Sequence, residues 1–219
     1  MASFDCFSPE ALRFLSDLKA NNTKAWFAEN KTIYETHIKA PGKVFAEAMA
    51  EALQELTGQA HGSKIFRIHR DVRFSKDKTP YNAHMHFAFT PMGGSGQPPM
   101  WFFGASPSGL ALGCGVFQYD KDALQNFRTA MAGQAGAALI QLTAQIQAEE
   151  IRVGEPDLNR VPPGFDKDHP HAEALRRKGF AAWIDKTDPN FVTQPALVDR
   201  TIFELRRLMP VFNQLSEIT

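Results

Sequence analysis

Residues 83–90, Ala-His-Met-His-Phe-Ala-Phe-Thr, place their bulky apolar side chains at every second position, and this constrains the fold more than any other segment. In an extended chain successive side chains point to opposite faces. Met85, Phe87 and Phe89 then share one face, and His84, His86 and Ala88 share the other. The segment predicts a strand with an apolar core face and a second face bearing two imidazoles. The same period predicts a strand over 64–70, with Phe66 and Ile68 opposed to Arg67 and His69. It predicts another over 109–116, where Leu110, Leu112 and Cys114 oppose the small residues Ala111, Gly113 and Gly115. Residues 100–105 are apolar on both faces, as a covered central strand is. A further strand is read at 180–185. The joining segments 91–99 and 106–109 are rich in Gly, Pro and Ser and read as hairpin loops.

Outside this middle region the period changes to that of a helix. Ser8 and Pro9 start a helix carrying Leu12, Leu15 and Leu18, and Asn21-Asn22 ends it. A second helix is read from Thr23, with Phe27, Tyr34 and Ile38 near one face. Pro41 is read as opening a third, with Phe45, Met49, Leu53 and Leu56 in a stripe that Gly58 stops. Asp120 is placed to cap a helix carrying Leu124, Phe127 and Met131, and Gly133 separates it from one carrying Leu139, Leu142 and Ile146. A short helix over 170–178 and a last one from Pro195, kinked or ended by Pro210, complete the reading. The expected fold is α+β: a mainly antiparallel sheet in the middle of the chain, flanked by N-terminal and C-terminal helices. No composition break marks a boundary, so one domain spanning 1–219 is expected.

Charge and composition exclude several classes. The formal net charge is +0, with 24 Lys and Arg against 24 Asp and Glu, so no broad basic face for general nucleic-acid binding is expected. No apolar run approaches a membrane span, and the start, Met1 to Phe7, lacks the pattern of a signal peptide. Cys6 and Cys114 form no CxxC pair and read as two free thiols of a reducing compartment, hence a cytoplasmic location. Gly93-Gly94-Ser95-Gly96-Gln97 is neither a GxSxG nucleophile elbow nor a phosphate loop. Neither GxGxxG opening a helix nor HExxH occurs.

The densest chemistry lies between the first two strands. Arg67, Arg70, Arg73, Lys76 and Lys78 bring five cations into one connection, with hydroxyls from Ser75, Thr79 and Tyr81. Arginine forks match the oxygens of carboxylate or phosphate, and lysine adds a point charge. Asp71 and Asp77 open a second reading, in which the charges pair among themselves and brace the loop. A second cluster, Asp166, Asp168 and His169 with His171, follows the rigid turn Pro162-Pro163-Gly164. It has the side chains for hard-cation ligation or for a base oriented by an acid, but the favoured reading is a helix start, with Asp168 or His169 capping the helix that Pro170 begins. His84 and His86 share a strand face in the manner of many metal sites, but spacing identifies no third ligand.

The chain also resembles a known family. The likeness runs through Phe14-Leu15-x-x-Leu18-x-x-Asn21-Asn22-x-x-x-Trp26-Phe27 and then Arg70-Asp71-Val72-Arg73-Phe74-Ser75-Lys76-Asp77-Lys78-Thr79-Pro80-Tyr81. It continues through Leu112-Gly113-x-Gly115 and ends in Gly164-Phe165-Asp166-x-Asp168-His169-Pro170. It is similar to a widespread bacterial and fungal family catalogued as a domain of unknown function. The resemblance implies one domain and gives weight to the two charged motifs, but it supplies no activity, cofactor or catalytic residue.

Two functions remain open. The first is a binding or enzyme site for a small anionic ligand, formed by Arg67, Arg70, Asp71, Arg73, Ser75, Lys76, Lys78 and Tyr81 with Asp166, Asp168 and His169. The second is an interaction module whose basic loop docks an acidic protein surface or a nucleic-acid backbone. The neutral charge balance favours the first. A concave pocket at the loop, as against a flat, exposed loop, discriminates them. The sequence names no cofactor and no oligomeric state.

Overall fold

The computed structural model describes residues 4–94 and 96–218. Ser95 of the Gly-rich run, and the first three residues of the start read for a signal peptide, lie outside the described residues. Helices α1 (Pro9–Ala20), α2 (Lys24–Glu29), α3 (Lys31–Tyr34) and α4 (Ala40–Thr57) come first. Strands β1 (His61–Ile65), β2 (Met85–Pro91), β3 (Met100–Ser106) and β4 (Gly109–Val116) follow. Helices α5 (Lys121–Ala132) and α6 (Gln134–Ala148) lead to β5 (Arg152–Val153), α7 (Ala172–Leu175), β6 (Phe180–Lys186), α8 (Leu197–Leu205) and α9 (Met209–Ser216). The fold is α+β. The strands form a six-stranded antiparallel sheet in the order β1-β2-β3-β4-β6-β5. None of the described helices is long and apolar enough to cross a membrane.

The chain divides into two compact units. The first takes the described residues up to Phe89 with Phe102–Leu112 and Asp185–Phe203. Its core is built where the two periods meet. Helix α1 buries Phe14, Leu15 and Leu18, and α4 buries Phe45, Met49 and Leu53. Met85, Phe87 and Phe89 are buried as the alternation requires. Phe45 meets Phe87 and Phe103 with ring centroids 5.1 and 4.7 Å apart. Each such ring or aliphatic chain stabilises by about 1.5–3 kcal/mol through burial. Gly58, at φ 74°, ends α4 in a left-handed cap that a side chain would strain.

Three expectations in this unit are corrected. The first strand runs over His61–Ile65, not 64–70. Beyond it the alternation is answered by the loop's own return: Arg70 N–H donates to the Pro80 carbonyl and Asn82 N–H to the Ile68 carbonyl, at 2.9 and 2.7 Å. His69 and Tyr81 form an isolated antiparallel bridge there. The second and third helices are not separate. After a break at Asn30 the chain widens into a π turn over Glu35–Lys39 and runs directly into α4, whose first turn tolerates Pro41. Ser8 holds the N-cap position of α1, but its hydroxyl bonds His37 Nδ1 at 2.9 Å instead of a helix N–H.

The second unit takes the described residues of Thr90–Trp101, Gly113–Ile184 and those from Glu204 on. Trp101 stacks on Phe212 and Tyr119 on Phe127, at 5.1 and 4.9 Å. The Asp120 carboxylate caps α5, accepting from the N–H groups of Asp122 and Ala123. Strands β5 and β6 pair with Arg152 opposite Trp183 and Val153 opposite Ala182. The small side of β4, read as room for a ligand or a helix, is filled in this unit by β6. A Cβ on Gly113 would come within 2.6 Å of the Trp183 ring, and one on Gly115 would strike the Phe180 carbonyl. Toward the C-terminus α8 starts at Leu197, after Ala196 at φ 56°, and a 3-10 turn over Arg206–Leu208 precedes α9. Pro210 lies in the first turn of α9, where it needs no N–H partner, and the interruption expected at it falls just before, at the 3-10 turn.

Candidate functional site

The basic loop is anchored at its base by backbone. Tyr81 N–H donates to the Asn22 side-chain oxygen at 3.0 Å, and the Asn22 amide donates to the Tyr81 carbonyl at 2.9 Å. The Tyr81 ring is buried and stacks on Phe27, with centroids 4.1 Å apart. Its place is thus in the wall between α2 and the loop.

Further out, the loop charges pair locally. Arg70 Nη1 donates to Asp77 at 2.6 Å, to the Thr79 carbonyl at 3.1 Å and to the Thr79 hydroxyl. Asp77 also accepts from Thr79 N–H at 2.9 Å. That backbone bond, followed by Arg70 and the Thr79 hydroxyl, holds its carboxyl down at about 2. Asp71 takes the Arg73 fork at 2.9 and 2.6 Å, which lowers its pKa from the usual range. Lys78 donates to the Val72 carbonyl at 3.0 Å. Ser75 N–H reaches the same carbonyl at 3.4 Å, while Lys76 stands exposed on the outer turn.

Arg67 differs from Arg70, Arg73 and Lys78. Its exposed guanidinium makes no hydrogen bond or ion pair among the described residues. It stands in the wall of a cavity of about 390 Å³ with Arg70, Asp71, His69, His84 and His86. His84 and His86 stack with centroids 3.7 Å apart and planes 19° from parallel. Burial, and then the Arg70 charge, lowers the His84 pKa. His86 is lowered to about 4 by desolvation and the adjacent His84, although its edge meets solvent. Both rings are neutral at pH 7 and keep nitrogens for a ligand. Gly104 makes room for the pair, since a Cβ there would lie 3.0 Å from His86 Cδ2.

The in-plane lone pairs of near-parallel stacked rings run alongside each other and do not converge on one ion. Among the described residues no cluster of three or more His, Cys, Asp or Glu side chains is placed to hold a metal.

A family model matches residues 10–213, that of the conserved hypothetical protein family DUF2461. The chain belongs to this family. No curated protein matches it. In this DUF2461 chain the matched span includes every residue that sequence reasoning placed in a site.

Those residues fall in both units. Arg67 through Tyr81 belong to the first, where Arg67, Arg70 and Asp71 reach the cavity. Asp166, Asp168 and His169 belong to the second, where their bonds are those of a turn. The Asp166 carboxylate accepts from Asp168 N–H, and His169 Nδ1 accepts from His171 N–H, both at 3.0 Å. His171, not Asp168 or His169, holds the N-cap position of α7. That helix covers Ala172–Leu175, shorter than the 170–178 expected. Sequence reasoning missed Asn82 in the cavity wall and also missed the contribution of the π turn over 35–39. Asn82 directly follows Tyr81, and strand parity puts it on the side of His84 and His86. No comparable signal marks the π turn.

Proposed function

We propose that the first unit binds a small anion carrying carboxylate or phosphate oxygens. The observation that carries this reading is Arg67, an unpaired cation in a concave wall that also holds Arg70 and three imidazoles. The only carboxylate in that wall, Asp71, is already held by Arg73. Arg70 spends only Nη1 on the loop and keeps its other guanidinium donors. Arg67 and Arg70 supply the charge-assisted bonds, and neutral His84 and His86 orient the ligand. A neutral imidazole also accepts a hydrogen bond from a protonated ligand oxygen. The remaining loop charges, Arg73, Lys76 and Lys78 with Ser75, shape and steer. The site belongs to a cytoplasmic protein on this reading, in keeping with free Cys6 and Cys114.

The test titrates phosphate, sulfate and small carboxylates into wild type and Arg67→Ala, a substitution that removes no protein bond. Wild type is expected to bind, with affinity falling about tenfold or more in the variant, the scale of one lost charged hydrogen bond. Equal and negligible binding by both would leave the loop as a structural brace.

One observation favours a second reading. Phe74 is 96 % exposed at the tip of the loop, beside Arg73, and its ring has no core to fill. An exposed aromatic side chain with a guanidinium beside it suits docking on an acidic protein surface. Loss of capture of an acidic partner in Phe74→Ala, with anion binding intact, would support that role. Binding of a nucleic-acid backbone instead would show as a steep salt dependence.

A further inference from the structure

A second cavity, of about 230 Å³, shares Phe66, Arg67, His84 and His86 with the first. Its character differs. The shared wall continues into Tyr34, Ile38, Ile65, Met85 and Phe87, all apolar or aromatic. Ile65 and Phe66 are large hydrophobic side chains left 45 % and 44 % exposed at its edge. Lys39 and Lys43 stand at its margin, Lys39 held by Glu35 at 2.9 Å. Part of this wall comes from the π turn, a local widening of a helix that is common at functional sites.

From this we infer that the ligand is an amphipathic anion: a flat apolar body, one or two fused rings in size, carrying a terminal carboxylate or phosphate. The inference rests on the anion reading above and adds the class of the non-ionic part. Three features lead to it. The apolar cavity is large enough, since about 150 Å³ of apolar space already admits a benzene ring. The Phe66 edge offers a ring to stack on, in the offset or edge-on arrangement aromatic pairs prefer. Arg67 belongs to both walls, so an anionic group held there leaves its attached body beside the apolar side rather than in open water. A purely polar anion would leave this surface exposed and gain nothing from it. A neutral hydrocarbon would leave Arg67 and Lys43 without a counter-charge.

The test compares inorganic phosphate with 1-naphthyl phosphate and 1-naphthol by calorimetry, on wild type, Arg67→Ala and Phe66→Ser. Phe66 is half-exposed, so its replacement leaves the core intact. Naphthyl phosphate is expected to bind wild type at least tenfold tighter than phosphate. Phe66→Ser should erase most of that advantage, bringing the ratio of the two affinities close to one, while Arg67→Ala should weaken both anions. Naphthol should bind more weakly than its phosphate ester. If phosphate binds and the aryl ester binds no better, or if Phe66→Ser leaves the advantage intact, the inference fails and the anion site stands. Naphthol binding as tightly as the ester overturns the inference too. If none of the probes binds wild type, both readings fall.

Discussion

Asn22 stands in for a neighbouring strand at Tyr81. Its side-chain amide accepts from the Tyr81 N–H and donates to the Tyr81 carbonyl, at 3.0 and 2.9 Å, across 59 positions of sequence. The turn that ends α1 is thereby tied to the base of the basic loop, and the Tyr81 ring is held on Phe27. A polar turn residue does the work of a β-ladder where no strand is available.

Asn22→Ala should therefore destabilise by about 2 kcal/mol, since two part-buried backbone groups lose partners at roughly 1 kcal/mol each. Asn22→Asp should rescue little, because it keeps the acceptor but sets a carboxylate oxygen against the Tyr81 carbonyl. Denaturant melts of the three proteins check this. A loss under about 0.5 kcal/mol in Asn22→Ala, the size of an ordinary surface change, would show that Phe27 stacking alone holds Tyr81.

The Arg70–Asp77–Thr79 brace should survive acid. The Asp77 pKa is depressed to about 2, below the ordinary 3.8 that it has when unfolded. Its stabilising effect is present above the unfolded value and is lost as pH falls through about 2. Carboxyl shifts followed by NMR should show Asp77 still ionised at pH 3. Titration near 3.8 would mean that the brace is absent in solution.

His86 should work in the other pH window. Its folded pKa of about 4 lies below the ordinary 6.5, so the unfolded chain binds the proton more readily. Stability contributed by the neutral ring is full above 6.5 and declines as pH falls from there towards 4. His86→Gln should flatten that part of the melting-temperature profile, and the wild-type ring should titrate well below 6.5 by NMR. A midpoint at 6.5 would contradict the stacked arrangement.

Two glycines should respond differently to alanine. At Gly104 the new Cβ is crowded by a ring edge, 3.0 and 3.1 Å from His86 Cδ2 and Nε2, with the Ala111 carbonyl at an ordinary 3.7 Å. The ring has to give by a few tenths of an ångström, which predicts a cost of about 1 kcal/mol, a disturbed histidine stack and weaker anion binding. Gly115 sits at φ 143° with the Phe180 carbonyl in the way, so neither backbone nor obstacle can yield cheaply. Gly115→Ala should cost about 3 kcal/mol or more, combining strain and overpacking. Parallel thermal melts and histidine spectra separate the two cases.

The sequence by itself determined which segments are helices and which are strands wherever the period was long and uninterrupted. Residues 83–90 set Met85, Phe87 and Phe89 inward with His84 and His86 opposed, because a strand allows no other division. Asp120 and Gly58 acted as helix signals for equally local reasons. Tertiary structure decided the rest. That Phe66 N–H still reaches the His86 carbonyl of β2 while 68–70 folds back on 80–82 depends on long-range hydrogen bonds that alternation cannot rank. The chain's helical period does not show that residues 35–39 widen into a π turn. Of the five loop cations, only the folded loop separates Arg70, Arg73 and Lys78, absorbed by Asp77, Asp71 and a carbonyl, and Lys76, exposed on the outer turn, from Arg67, which stands in the cavity wall without a bonded partner among the described residues. Composition counts charges and spacing orders them along the chain; pairing depends on distance in space, which is fixed only once the loop is closed by Asn22 and Tyr81.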